Sequence, residues 1–365
     1  MGISTIKMLE QQGQSIWLDN ISRDLIRSGK LIRMIELGLK GITSNPTIFD
    51  KSISLSSDYD SQILELSCSR GSVFDIYDEI TVDDVRSAAK MFLDVYKETA
   101  GLDGYVSLEV NPRLALNAEE TIREAQRLHK KLGLPNVMLK IPATDEGFIA
   151  AEELISRGIN VNITLIFSQG QYINTVNAYI NGIEKLIKNN GDPKDVRSVA
   201  SVFVSRLDTV VDRLLGPGHK LRGRAAVTNC QLIYNKFIEV FNSEMFLSLK
   251  KRGANIQRPL WASTSTKDAS YSDIKYVTEL IARDTVNTLP ENTFWAFVDH
   301  GTINHDLSSE NTQTPAEIIN SLNGLQIDIQ EICAGLLRDG LSAFEKSFDS
   351  LLNSISQKSK VLCNR

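Results

Sequence analysis

The chain has 365 residues, a formal net charge of −5, 42% hydrophobic residues and 23% charged ones, which is enough apolar material for a large core under a soluble surface. The acidic balance and the lack of any run of five or more Lys/Arg give no footing for nucleic acid, though one or two local cations would serve a small phosphate. No stretch of about 18 apolar residues predicts a membrane span, and residues 1–14 lack a secretion signal's apolar core, so the cytoplasm is the expected compartment.

Short runs rich in Val, Ile and Leu alternate with longer segments of helical period, the pattern of βα units around a buried parallel sheet. In chain order the predicted strands are 15–18, 41–44, 105–110, 137–141, 161–166, 200–204, 259–262 and 284–289. Eight such units without a sharp linker predict an α/β chain closed as a single (β/α)8 barrel over 1–365. Helix starts agree: Asn117 precedes Glu120, and Ser168 precedes Gln171, at the spacing of a capping box. Residues 51–80, rich in Ser and Asp, read as a loop insertion with little regular structure. From Thr314 onward the period is helical throughout, with Ile329, Ile332, Leu336, Leu341, Phe344, Phe348, Leu351 and Ile355 on one stripe. This extension, 314–357, is expected to pack on the outside of the barrel. The alternative is that it covers the site or joins a homodimer.

A buried parallel strand should be almost wholly apolar. Several predicted strands instead carry polar residues at or just beyond their carboxyl ends, which a barrel gathers at one mouth. Asp19 follows the first strand and Asn45 the second, Glu109 lies in the third, Lys140 in the fourth and Thr164 in the fifth. Ser201 and Arg206 belong to the sixth, and Ser263 to the seventh.

Lys140 is the sharpest of these, one ammonium inside the run Val137-Met-Leu-Lys-Ile. A buried lone ammonium is paired, or neutral, or both. A lysine nucleophile at neutral pH needs a pKa about three units below its usual value of about 10.4, roughly 4 kcal/mol, which burial can supply. A snorkelling lysine that reaches solvent is the structural alternative. Asp19 and Glu109 could divide acid and base work. Otherwise Asp19 is a helix N-cap and Glu109 the partner of Arg113. Asn45 could simply shape the turn before Pro46, and Thr164 could be an ordinary β-branched strand residue.

Other features point nowhere. His129, His219, His300 and His305 have no metal-ligand spacing. Cys68, Cys230, Cys333 and Cys363 form no Cys-x-x-Cys pair and no disulfide framework, which suits a reducing compartment. Gly216-Pro-Gly218 is a turn without the lysine of a phosphate-binding loop. No metal and no cofactor is expected.

At these residues the chain resembles the transaldolases, in their longer bacterial form. The block Gly41-Ile-Thr-Ser-Asn-Pro-Thr-Ile-Phe49 is similar to the family's first signature, and Val137-Met-Leu-Lys-Ile-Pro-Ala-Thr144 to the segment of its Schiff-base lysine. Trp17-Leu-Asp-Asn20, Ser107-Leu-Glu-Val110, Asn162-Ile-Thr-Leu165 and Ser201-Val-Phe-Val-Ser-Arg206 match further blocks in the same order, over about residues 15–300. The resemblance implies transfer of a dihydroxyacetone unit between sugar phosphates in the non-oxidative pentose phosphate pathway. Lys140 would form the Schiff base, Glu109 and Thr164 would hold a proton-carrying water, and Asp19 would deprotonate the C4 hydroxyl. Asn45 and Ser201 would bind hydroxyls, and Arg206 the phosphate. The chain departs from the pattern after the seventh strand, where a second arginine is missing; Ser263 and Lys267 are expected to complete that site. Two rival readings are an aldolase of the same fold that releases dihydroxyacetone, the difference being tuned around Phe203, and a non-catalytic phosphosugar-binding barrel.

Overall fold

The computed structural model describes residues 3–69, 71–303, 306–307 and 313–364; His305 lies outside these. Eight parallel strands close into a barrel in sequence order: β1 Gln14–Leu18, β2 Gly41–Thr43, β3 Tyr105–Glu109, β4 Val137–Pro142, β5 Val161–Ile166, β6 Ser198–Phe203, β7 Arg258–Ala262 and β8 Thr285–Leu289. Every strand residue is buried. The barrel closes where β1 pairs with β8, from Gln14 opposite Thr285 to Leu18 opposite Leu289. Each predicted strand overlaps an observed one, so the (β/α)8 expectation holds.

Two positions show how tightly the wall is drawn. Gly41 opens β2 where a Cβ would lie 2.7 Å from both the Trp17 ring and the Tyr105 carbonyl, so only glycine fits. Leu165 has φ of +60°, and the β5–β6 register shifts between Ile163 and Ile166 there. Such a bulge re-aims the end of a strand.

The two ends of the barrel are chemically unlike. At the amino end, Arg258 donates to Ser15 Oγ (2.8 Å), the Leu102 carbonyl (2.7 Å) and Asp103 Oδ1 (2.8 Å). Asp103 also accepts from Ser15 Oγ and Trp17 Nε1. This buried pair has its donors and acceptors matched, the condition under which burying two charges is tolerable. It forms a plug. The carboxyl end is where polar groups are left open.

The reading of 51–80 as loop is corrected. Helices Pro46–Leu55, Asp60–Cys68 and Val73–Met91 cover most of it. The Ser and Asp residues that suggested coil cap helices and join them: Ser72 and Asp75 make a capping box, and Ser67 Oγ meets Ser359 Oγ at 2.7 Å. Ile53, Tyr59 and Ile63 bury themselves beneath.

The expectation that the C-terminal segment lies on the outside of the barrel is also corrected. Helix Ile329–Cys363 runs over the carboxyl mouth, with Cys333, Leu336, Gly340, Phe344, Phe348, Leu351 and Ile355 buried. Polar contacts fix its path. Thr47 Oγ1 meets Ser347 Oγ at 2.8 Å, Ser354 donates to Asp50 (3.0 Å), and Lys358 pairs with Asp60 (2.7 Å). The apolar stripe is therefore satisfied within the chain. Preceding it, helix Pro315–Gly324 starts at a Thr314–Glu317 capping box.

Candidate active site

Beneath that helix lies a cavity of about 280 Å³ at the carboxyl ends of the strands. Of the residues singled out in the sequence, Asp19, Asn45, Lys140, Ser201, Phe203, Arg206, Ser263 and Lys267 line it. Glu109 and Thr164 do not line it; both are buried, Glu109 on β3 directly opposite Lys140 in register and Thr164 on β5 opposite Pro142.

Lys140 is 4% exposed, which removes the snorkelling alternative. Its Nζ donates to the Ser44 carbonyl at 3.1 Å and stands 3.5 Å from Glu109 Oε2. That second distance is an ion contact longer than a good hydrogen bond, and Oε2 has no hydrogen-bond donor. The Phe344 ring of the C-terminal helix sits 5.8 Å from Nζ. A desolvated amine with one backbone acceptor and one nearby carboxyl is a short proton transfer from being a nucleophile.

Glu109 makes no bond to Arg113, which pairs with Asp349 at 2.5 Å instead. Burial pushes the Glu109 carboxyl up to about 7, against the pull of the Lys140 ammonium. Near neutrality it is therefore as ready to give a proton as to take one. Thr164 Oγ1, fully buried on β5, likewise has no hydrogen-bond partner in the protein. Buried polar atoms without partners are uncommon, and one of these, Glu109 Oε2, stands 3.5 Å from the lysine amine.

Asp19 is not a helix cap. Ser22 caps the next helix by accepting from Leu25 N, and Asp19 ends β1 with its N–H donated to the Leu289 carbonyl. Thr43 Oγ1 donates to Asp19 Oδ1 (2.8 Å) and meets Thr288 Oγ1 at 2.7 Å, so a row of hydroxyls from β2 and β8 holds the carboxyl. Burial raises the Asp19 pKa, while Lys140 and the Thr43 hydrogen bond oppose the shift.

Asn45 does cap helix Pro46–Leu55, through Oδ1 to Ile48 N at 3.0 Å, yet it still borders the cavity, leaving its amide N–H groups for a ligand. Ser201 donates to Asn162 Oδ1 (2.6 Å), and Asn162 Nδ2 donates to Ser107 Oγ (3.1 Å), a bridge from β6 through β5 to β3. The Phe203 ring packs at a tilt against Phe167, centroids 5.4 Å apart, and lies 5.2 Å from the Arg206 guanidinium. Arg206 lies in the first turn of helix Ser205–Leu215 after β6 and lines the cavity together with Ser263 and Lys267. Ser263 has φ of +55° and shares a 3.0 Å contact with Ser205 Oγ, a strained backbone at the site. Lys267 Nζ donates to Ser265 Oγ at 2.7 Å. Burial lowers the Arg206 pKa; for Lys267, which is exposed, partial desolvation and the repulsion of Arg206 and Lys51 act in the same direction.

Thr43, Thr288, Asn162 and Phe344 were missed in the sequence. The first three left a trace, since polar side chains inside fully buried strands are out of place. Phe344 left none. Among the described residues no group of three or more His, Cys, Asp or Glu could hold a metal ion, and no helix is long and apolar enough to cross a membrane.

Residues 16–355 match the family described as transaldolase/fructose-6-phosphate aldolase. A protein of Saccharopolyspora erythraea named transaldolase is 45% identical over 359 residues, covering 97% of this chain and 98% of that one. One of Trichodesmium erythraeum with the same name is 42% identical over 370 residues, 97% of each chain. A transaldolase 2 of Streptomyces coelicolor is 41% identical over 363 residues, 98% of each. With a matched fold, a lysine set at the mouth of its barrel, and relatives alike over nearly their whole length, the chain belongs to the transaldolase/fructose-6-phosphate aldolase family.

Proposed function

We propose that this chain is a transaldolase working as a single domain on sugar phosphates in the cytoplasm, with Lys140 as its nucleophile. The observation that carries the reading is the Lys140 amine, buried and unpaired by any close hydrogen-bonded carboxylate, 3.5 Å from a Glu109 held near 7. Four free cysteines suit a reducing compartment.

The neutral amine attacks the carbonyl carbon of a ketose phosphate. Glu109 supplies the proton that lets the carbinolamine lose water, directly or through a water shared with Thr164, leaving a protonated imine. Asp19 then takes the proton of the C4 hydroxyl, the C3–C4 bond breaks, and its electron pair moves into the imine to give an enamine. An aldose phosphate departs. The enamine carbon attacks the aldehyde of a second aldose phosphate, Asp19 returns the proton, and water releases the new ketose. Asn45 and Ser201 hold the three-carbon unit, while Arg206, Ser263 and Lys267 hold the phosphate. Phe203 and Phe344 line the cavity with apolar surface. That surface keeps water from protonating the enamine, and so favours transfer over release of dihydroxyacetone.

Incubation with fructose 6-phosphate and borohydride, followed by peptide mapping, tests this directly. A three-carbon adduct on Lys140 supports the mechanism, and addition of erythrose 4-phosphate before reduction should discharge it. An adduct on another lysine, or none, would sink the assignment.

A further inference from the structure

Arg206 and Lys267 leave one cation of the cavity without a role. Lys51 lies one turn beyond Thr47 on helix Pro46–Leu55, so both side chains share a face, and both line the cavity that holds Arg206, Ser263, Ser265 and Lys267. The three cations come from three walls: Lys51 from the helix after β2, Arg206 from the helix after β6, Lys267 from the loop after β7.

None of the three has a carboxylate oxygen within 4.0 Å among the described residues. Other surface lysines also lack such a partner; what sets Lys51 and Lys267 apart is that they line one cavity together with Arg206. The one acid felt by Arg206, Asp339 on the C-terminal helix, acts from beyond that range. Lys267 feels Arg206 and Lys51 as repelling neighbours, which supports their closeness. Like charges gathered without a counter-ion repel one another, and an anion entering between them gains from all three at once.

We infer that Lys51 is a third ligand of the phosphate site. A tetrahedral phosphate offers three free oxygens. The guanidinium fork takes two of them from one wall, and two point charges on flexible stems reach the remaining faces from the others. The inference rests on the reading of Arg206 and Lys267 as the phosphate site, and adds to it the wall on which Asn45 stands.

The test uses the full chain and inorganic phosphate as the probe, as a competitive inhibitor against fructose 6-phosphate. In Lys51→Met the inhibition constant for phosphate should rise about tenfold, as loss of one charged contact implies. KM for fructose 6-phosphate should rise with it, and kcat should fall far less. Lys51→Arg should restore most of the loss. Arg206→Ala serves as the reference. A raised phosphate constant in Arg206→Ala but not in Lys51→Met overturns the role of Lys51 and leaves the phosphate site standing. No change in either variant overturns both.

Discussion

Glu109→Gln should cost activity and add stability, and the two effects should share one pH window. The folded-state pKa of Glu109 is raised from 4.5 to about 7, chiefly by burial. In the unfolded chain it ionises freely. Because the folded pKa is the higher one, the folded state binds the extra proton. The penalty is absent below about 4.5, grows through the window from 4.5 to 7, and is complete above it. A shift of this size corresponds to about 3 kcal/mol. Glutamine cannot ionise and escapes the penalty. The unfolding free energy of Glu109→Gln relative to the parent should therefore climb by about that amount between pH 4.5 and 7.5 and be flat on either side. Any constant offset from lost contact with Lys140 leaves this slope untouched. Urea unfolding followed by circular dichroism at half-unit pH steps gives the curve. Turnover should fall by about a hundredfold or more, the usual worth of a placed acid–base group. A stability difference that does not vary with pH would refute the claim that the protein holds this carboxyl up.

Lys140→Arg keeps a long basic side chain but removes the amine nucleophile, so activity should fall at least about a thousandfold and borohydride trapping should vanish while the circular dichroism spectrum is retained. Gly41→Ala should destabilise the barrel by about 1–3 kcal/mol, because its Cβ meets the Trp17 ring and the Tyr105 carbonyl at 2.7 Å; urea unfolding is the check. Phe344→Ala, removing a ring only 5% exposed, should cost up to about 3–5 kcal/mol. In that variant Lys140 should still be trapped, but dihydroxyacetone should be released without an acceptor; release no faster than in the parent would show that Phe344 does not exclude water.

Much of this arrangement was legible because a parallel barrel sorts residues so strictly. A strand buried on both faces should be apolar, so Lys140 and Glu109 stand out from their neighbours in the sequence, and Thr164 less sharply. The same logic would have found Thr43, Asn162 and Thr288, which are milder exceptions and pass for β-branched or hydrogen-bonding strand residues. The helices at 46–68 were hidden by their own serines, which cap and bridge helices as readily as they populate loops. Phe344 was illegible for a different reason. A stripe of period 3.6 says which face of a helix is apolar and nothing about what that face meets. Lys51 belongs to neither kind, since one lysine in an amphipathic helix is unremarkable until the wall opposite it is known.

The helix laid over the mouth also sets the order in which the enzyme can come into being. Chains are made from the amino terminus, and domains settle as their residues emerge. Asp19, Glu109 and Lys140 are all synthesised before the cover that contributes Phe344 to their cavity. A growing chain therefore carries Lys140 before the helix that covers its cavity has been made. A chain that ends before Ile329 lacks Phe344 and with it one wall of that cavity.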